Sequence, residues 1–176
     1  SFMEKMVREF PPYGDEFLSL VLEDYTTTAF LGHAVNCTLL SLILAQEFTF
    51  TDEEKLDLAL ASFLHDIGLS HSREDLNYPK QLTSQLQQEV LNHPLKGAQM
   101  VKDHLSQVAV DAIIQHHEVG NGKGYPQGLV TPQIHLFANI MHVVDSFEAL
   151  THARPYRRSP LEVNEAMKQL IDDKFE

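Results

Sequence analysis

The sequence predicts an all-α protein built as a single domain, and three observations support that fold class. Apolar residues recur at helical spacing through most of the 176 residues, no pair of alternating strands can be identified, and glycine and proline concentrate in one short segment. The length suffices for one substantial core but not for two ordinary domains. We divide the chain into a helical lead-in over residues 1–30 and one domain over residues 31–176.

The first two helices of that domain are predicted from apolar spacing and from capping residues. Residues 31–48 carry apolar side chains on one helical face. The next helix begins after Thr51, because Thr51 and Glu54 have the spacing of a capping box. Gly68 is predicted to end this helix as the residue after its C-cap, and residues 70–88 are predicted to form a polar loop, with or without a short helix in it.

The second half of the domain is predicted to contain four more helices. His93-Pro94 is expected to begin the first of them, which runs towards residue 104, because a proline in the first turn costs no hydrogen bond. The remaining segments are a helix over residues 108–117, a loop over residues 119–132 with four of the eight glycines, and helices over residues 133–152 and 161–175.

Composition narrows the range of functions. A net charge of −12 argues against binding of polymeric nucleic acid, whereas a small phosphorylated ligand is compatible because bound metal ions invert the local field. No apolar run reaches the ~18 residues that span a bilayer and the start lacks the form of a signal peptide, so we expect a cytoplasmic protein without membrane contact. Cys37 is the only cysteine; it excludes an intrachain disulfide and zinc–thiolate sites, and its neighbours indicate a small buried side chain.

Five histidines and two aspartates form an ordered series that is typical of a two-metal site. Imidazole and carboxylate bind first-row metal ions, and paired ions of this kind catalyse phosphoester hydrolysis. The series consists of His33, His65, Asp66, His93, His116, His117 and Asp145. Adjacent helical residues point about 100° apart, so neighbours divide between two ions, and Asp66 with its two oxygens is the predicted bridge. Taken singly, each histidine is more often structural; the ordered set favours ligands.

The motifs around these residues resemble a known family. HDIGL, HPLKGA, HHEVGNGKGYP and DSFEALTHARPYR are similar to motifs of the HD superfamily of metal-dependent phosphohydrolases, and the GYP segment resembles the HD-GYP subfamily. The resemblance covers residues 31–158. It implies an HD-domain helical bundle with a site for two or three metal ions in its core, usually iron or manganese. We expect two divalent ions here, because Ala29 stands where the glutamate ligand of a third would lie. It also implies hydrolysis of cyclic di-GMP to pGpG, and onward to GMP, through attack of a metal-bound hydroxide on phosphorus.

The resemblance assigns roles position by position. All seven residues of the series match metal ligands, and Asp66 is in addition the catalytic carboxylate. The residues implied in substrate binding are Gly124, Tyr125 and Pro126 of the loop beside the substrate, Arg154 and Arg157 as phosphate contacts, and Lys123 as a candidate extra cation. Because such units commonly follow a regulatory domain, an upstream domain or a protein partner is expected. The oligomeric state stays open.

Several departures from the family pattern leave the activity open. Leu69 replaces the lysine of HDIGK, which predicts weaker substrate binding, and Ala29 replaces a glutamate that holds a third metal ion. Asn121 and Glu148 replace aspartates and are predicted to be mild changes. The alternatives are a weakened or inactive sensor of cyclic dinucleotides that binds a partner, and an HD phosphohydrolase acting on another nucleotide. Of the histidines outside the series, His142 is predicted to support the site or the core, because it shares a helix face with Asp145.

Overall fold

The computed structural model describes residues 29–70, 83–152 and 159–172 of the chain. Within these ranges the secondary structure consists of six α-helices, three short 3-10 helices and one isolated antiparallel bridge between Asn121 and Val130, with no strand. The α-helices are α1 (Ala29–Leu44), α2 (Asp52–Leu64), α3 (Ser84–Val101), α4 (Gln107–Gln115), α5 (Leu136–Thr151) and α6 (Val163–Asp172). The predicted all-α fold class is therefore confirmed.

The predicted start of α2 is also confirmed. Thr51 is the N-cap, and its Oγ1 accepts a hydrogen bond from the Glu54 N–H at 3.2 Å. The Glu54 side chain accepts in return from the Thr51 N–H at 2.7 Å. Both halves of the capping box are thus formed, and two of the amide groups that a helix start leaves without partners are satisfied.

Two predictions about helix ends are wrong. The helix that carries His93 begins at Ser84, because the Thr83 side chain accepts from the Leu86 N–H and caps it nine residues upstream of the predicted start. Pro94 therefore lies inside α3. The predicted loop over residues 70–88 is helical from Ser84 onward, and its residues 71–82 lie outside the described ranges.

Gly68 does not cap α2, which ends at Leu64 with His65 as its C-cap in helical conformation. Gly68 lies instead in the 3-10 helix Ile67–Leu69 and packs against α3. A Cβ atom at Gly68 would lie 2.2 Å from the His93 carbonyl oxygen, a separation that no side chain tolerates. The position requires glycine because two backbone segments approach each other closely, not because a helix ends there.

The other boundaries differ by a few residues. After α1 the chain continues as the 3-10 helix Ala45–Glu47, and α5 begins three residues later than expected because His135 is its N-cap, accepting from the Phe137 N–H. The 3-10 helix Thr131–Gln133 precedes it. The last helix is described as far as Asp172.

The helices pack around one apolar core, and the side chains of the predicted ligand series lie within the bundle. α1 packs against α2 and α5, α4 packs against α2, α3 and α5, and α6 packs on α5. Leu58 of α2 and Ile113 of α4 are fully buried at the centre. No helix among the described residues is long and apolar enough to cross a bilayer. The proposed boundary at residue 30 remains a prediction, because residues 1–28 lie outside the described ranges.

Candidate metal centre

The structure brings all seven residues of the predicted ligand series together at one place in the bundle. His33 comes from α1, His65 and Asp66 from the end of α2, His93 from α3, and Asp145 from α5. His116 and His117 follow the last residue of α4. The atoms that could bind metal fall into two groups, each within 4.8 Å: a first cluster of His33, Cys37, His65 and Asp145, and a second cluster of Asp66, His93, His116 and His117.

The first cluster combines two imidazoles with a carboxylate. His33 Nε2 lies 3.2 Å from His65 Nε2 and 3.3 Å from Asp145 Oδ1. Both histidines are at most 4% exposed, whereas the Asp145 side chain is 22% exposed. The imidazoles therefore form the buried floor of the cluster, and the carboxylate forms its accessible edge.

The second cluster is made mainly of imidazoles. His93 Nε2 lies 3.2 Å from His116 Nε2, and the ring of His117 lies with its centroid 4.1 Å from that of His116. His93 and His116 are at most 1% exposed. The five imidazole rings follow one another at centroid separations of 4.1–5.1 Å from one cluster into the other.

Asp66 lies between the two clusters. Its Oδ1 is 3.1 Å from His93 Nε2, while its Oδ2 is 3.6 Å from His65 Nε2 and 3.7 Å from His33 Nε2. One carboxylate oxygen thus faces the second cluster and the other faces the first. This is the arrangement that a bridging carboxylate requires.

Three of the histidines are oriented by backbone carbonyls that the local fold leaves free. His65 Nδ1 lies 2.7 Å from Ser62 O, and His116 Nδ1 lies 2.7 Å from Ile113 O, at the ends of α2 and α4 where carbonyls lack helical partners. His93 Nδ1 lies 2.5 Å from Val90 O. Inside α3 that carbonyl would receive the N–H of residue 94, but Pro94 has none. The proline therefore leaves the Val90 carbonyl to the ligand histidine.

These contacts fix which nitrogen faces the centre. A carbonyl can only accept, so each Nδ1 carries the proton and each neutral ring presents the lone pair of Nε2. Two such lone pairs in the His93–His116 contact, 3.2 Å apart, repel unless a cation lies between them. A separation of about 3.2 Å is also that of two nitrogen ligands on one ion with bonds near 2.1 Å and an angle near 100°. The donor set therefore fits a metal pair.

The pKa shifts indicate that the two clusters favour different charges on their histidines. Burial by itself would lower the pKa of His33, but Cys37, Asp145 and Glu148 raise it well above its ordinary value. Burial would raise the pKa of Asp145, yet the hydrogen bond and the charge of His33 hold it well below its ordinary value. Burial lowers the pKa of His117 to about 4, and burial followed by the charge of His117 lowers that of His116. The first cluster therefore favours a positive charge at His33, whereas His116 and His117 of the second cluster are kept in the neutral form that binds metal.

Cys37 is buried as expected, but it is not only a packing residue. Its Sγ lies 3.5 Å from His33 Nδ1, one helical turn away on α1. Burial raises the pKa of this thiol to about 12, so the thiol is the ordinary form beside the first cluster. The group at this position is therefore a poor metal ligand, since thiolates rather than thiols bind metal.

The glycine-rich loop is held against the second cluster. The Tyr125 ring stacks on His117 with centroids 4.6 Å apart, and the Tyr125 N–H donates to His117 O. The buried carboxylate of Glu118 accepts from the Gln127 and Leu129 N–H groups at 2.6 and 2.8 Å. Gly124 lies so close to the backbone of residues 117–119 that a Cβ atom there would lie 2.3 Å from Val119 N. The loop is thus anchored beside the candidate ligands.

The other candidate substrate contacts are placed less closely or not at all. Lys123 is exposed. Its backbone N–H donates to Asn121 Oδ1, so Asn121 forms the turn that an aspartate at position 121 would also form. Pro126 is half-buried in the same loop. Arg154 and Arg157 lie outside the described residues.

The sequence reasoning missed one residue at the centre. Glu148 is 3% exposed, and its Oε2 accepts from His33 Nδ1 at 2.7 Å, although it was expected only to preserve a charge. Its spacing of three residues from Asp145 places the two on one face of α5, which is a signal that could have found it. His142 donates from Nδ1 to His116 O at 3.1 Å, in keeping with the supporting position expected for it.

Comparison with known proteins identifies the family. A family model described as HD domain matches residues 19–174. The chain is 37% identical over 129 residues to a cyclic di-GMP phosphodiesterase of Pseudomonas aeruginosa, covering 72% of this chain and 31% of that protein. It is 35% identical over 126 residues to 3′3′-cGAMP-specific phosphodiesterase 1 of Vibrio cholerae, covering 70% of this chain and 29% of that protein.

A solved structure extends the likeness to the fold. Bd1817, a HDG"Y"P protein from Bdellovibrio bacteriovorus, matches with a TM-score of 0.80 at 27% identity, over 97% of this chain and 55% of that one. The chain belongs to the HD domain family, and the predicted resemblance to HD-GYP proteins is confirmed. The chain spans about a third of the length of the two phosphodiesterases named above, 31% and 29% respectively.

Proposed function

We propose that this chain is a metal-dependent phosphodiesterase domain that hydrolyses cyclic di-GMP to pGpG. The observation that carries the proposal is the pair of Nε2–Nε2 contacts at 3.2 Å with the two oxygens of Asp66 between them. The named phosphodiesterases that the chain resembles support the choice of a cyclic dinucleotide as the substrate class. They give no support to the alternative of a non-hydrolysing sensor.

The proposed cofactor is a pair of divalent iron or manganese ions. His33, His65 and Asp145 would hold one ion, His93, His116 and His117 the other, and Asp66 would bridge them. The absence of a glutamate at Ala29 supports two ions rather than three. When bound, such ions activate water and stabilise the charge that develops on phosphorus.

The side chains of the centre also suggest how the substrate approaches. The imidazoles of His33, His65, His93 and His116 are buried, whereas His117 is half-buried and the side chains of Asp66 and Asp145 are 17% and 22% exposed, so the carboxylate edge is the open side. Tyr125 stacks on His117, and Gly124 packs on the backbone of residues 117–119, so the loop lies beside the half-buried His117. A phosphate group would therefore enter between the carboxylates and the loop, with Tyr125 in reach of an attached base or sugar.

The remaining substrate contacts belong to the same proposal. Arg154 and Arg157 would bind phosphate oxygens, which guanidinium groups can do in bidentate fashion, and Lys123 and Pro126 would contribute from the loop. Leu69 is 7% exposed, so it is a packing residue of the Ile67–Leu69 turn that adds no cation to the site. Onward conversion to GMP, an upstream regulatory partner and a cytoplasmic location stay predictions.

The test is a hydrolysis assay with a substrate panel. Purified protein is loaded anaerobically with Fe²⁺ or Mn²⁺, its metal content is measured, and it is incubated with cyclic di-GMP, 3′3′-cGAMP and common mononucleotides. We expect linearisation of cyclic di-GMP. Preference for 3′3′-cGAMP would keep the reaction and change the substrate, whereas cleavage of mononucleotides alone would favour a different HD phosphohydrolase. No turnover at full metal occupancy would overturn the proposal.

A further inference from the structure

We infer that Glu148 is a positioning residue for the first cluster, in that it fixes the ring of His33 so that Nε2 faces the metal site. This inference rests on the proposed metal centre and adds a residue to it. It starts from an asymmetry: His65, His93 and His116 are each oriented by a carbonyl three residues earlier, whereas His33 is not.

The position of His33 explains why it needs a different partner. The other three histidines lie at helix ends or next to a proline, where a carbonyl is free. His33 lies in the continuous helix α1, where the carbonyls of the preceding turn pair with backbone N–H groups. On α1 itself Cys37 Sγ lies 3.5 Å from His33 Nδ1, but a thiol sulfur is a weak acceptor, so a strong acceptor has to come from another element. Glu148 of α5 supplies it, 115 residues away in sequence, at 2.7 Å.

The surroundings of Glu148 hold its carboxylate in that position. Its second oxygen, Oε1, accepts from Asn36 Nδ2 at 3.3 Å, and Asn36 lies on α1 three residues after His33. His152 Nδ1 lies 3.7 Å from the same Oε1, and His152 Nε2 lies 3.3 Å from Asn36 Nδ2. Glu148 and Asn36 are both at most 4% exposed. Because these contacts fix the buried carboxylate, it can accept the hydrogen bond from His33 Nδ1 in only one orientation of the imidazole ring.

The physical effect is twofold. A carboxylate that accepts from Nδ1 fixes the tautomer of the imidazole and makes its other nitrogen a stronger ligand. Loss of such a partner typically weakens metal binding about 10- to 100-fold. The loss of metal affinity should be confined to the first cluster. Glu148 contacts His33, and Glu148 takes no part in the second-cluster contacts described above.

The experiment is a double-mutant comparison with Co²⁺ as the probe, measured by calorimetry and visible absorption on metal-free protein. His93→Ala isolates the first cluster, and His33→Ala isolates the second. We expect Glu148→Gln, which keeps the shape and removes the charge, to raise the Kd for Co²⁺ about 10- to 100-fold in the His93→Ala background. In the His33→Ala background it should leave the Kd unchanged. Glu165→Gln, an exposed glutamate on α6, is the matched control.

The outcomes separate this inference from the proposed function. Failure of the wild-type protein to bind Co²⁺ would overturn the metal centre itself. An unchanged Kd for Glu148→Gln in the His93→Ala background, or an equal loss in both backgrounds, would overturn the role of Glu148 alone.

A second measurement needs no variant. In wild-type protein loaded with Zn²⁺, the Nδ1 proton of His33 should give a downfield, slowly exchanging NMR signal. Coordination of the metal through Nδ1 would contradict the inference.

Discussion

The two ligand clusters of this domain hold their histidines by different means. In the second cluster His93 and His116 are oriented by carbonyls within their own turn of chain, so each ligand is fixed by its local sequence. In the first cluster His65 is oriented in the same way by Ser62 O, but His33 depends on Glu148 from a distant part of the chain. The orientation of His93 and His116 is therefore set by their local sequence, whereas that of His33 is set only once α1 and α5 have packed together.

The clusters also differ in charge, and the difference predicts an order of metal binding. The first cluster adds the carboxylate of Asp145 to the shared Asp66, and it favours a positive charge, because the pKa of His33 is raised there and that of Asp145 is held low; a metal ion that binds takes the place of the His33 proton. Apart from Asp66, the second cluster consists of the imidazoles of His93, His116 and His117, and burial lowers the pKa of His116 and His117. We expect the first cluster to be occupied before the second as metal is added.

Replacing Asp66 should affect metal binding in both clusters alike, because one of its oxygens faces the first cluster and the other faces the second. We expect Asp66→Ala to abolish hydrolysis and to lower the metal content at both positions. Metal analysis combined with the hydrolysis assay checks this. Full occupancy with wild-type turnover would show that Asp66 is not the bridge.

Removing one histidine at a time should allow the metal affinity of each cluster to be measured separately. We expect His33→Ala to retain the weaker ion and His93→Ala to retain the tighter one, with hydrolysis lost in both because the chemistry needs a pair. Calorimetric titration with Mn²⁺ gives the number of ions and their affinities. The reverse order of affinities would contradict the charge difference described above.

Gly68→Ala should damage the second cluster and leave the first. The new methyl group would lie 2.2 Å from His93 O and 2.8 Å from Gly97 N, both backbone atoms, so α3 must move and take His93 with it. Overpacking of this kind costs about 1–3 kcal/mol, which lowers Tm by about 2–4 °C per kcal/mol in a chain of this length.

Gly97→Ala is the matched control for that variant. A Cβ atom at Gly97 has its nearest neighbours at 3.3 Å, so the expected loss of stability is smaller. Equal melting temperatures for the two variants would argue against the close approach at Gly68.

The smallest effect is expected for Pro94→Ala. The alanine restores an N–H that competes with His93 Nδ1 for the Val90 carbonyl. Because a carbonyl has two lone pairs and can accept both donors, we expect the Kd of the second-cluster ion to rise by no more than about tenfold. Pro132→Ala, at an exposed 3-10 turn, is the control. An affinity unchanged from wild type would mean that the freed carbonyl does not matter.

The sequence allowed the fold class and the convergence of the ligand series to be predicted, because helical periodicity and the ligand motifs are local signals. It did not reveal that α3 begins at Ser84, since Thr83 as an N-cap is a weaker signal than the His93-Pro94 pair. Nor did it reveal the role of Gly68, because a close approach between two segments leaves no mark in either segment alone. The spacing of Glu148 from Asp145 indicates that it lies on the same face of α5, but its hydrogen bond to His33 on another helix leaves no mark in the sequence.

The most direct test of the metal centre is anomalous X-ray scattering from crystals grown with Mn²⁺ and without chelator. The account predicts two peaks about 3.5–4 Å apart, one beside His33, His65 and Asp145 and the other beside His93, His116 and His117. No peak within this group of side chains, in protein that hydrolyses cyclic di-GMP, would contradict it.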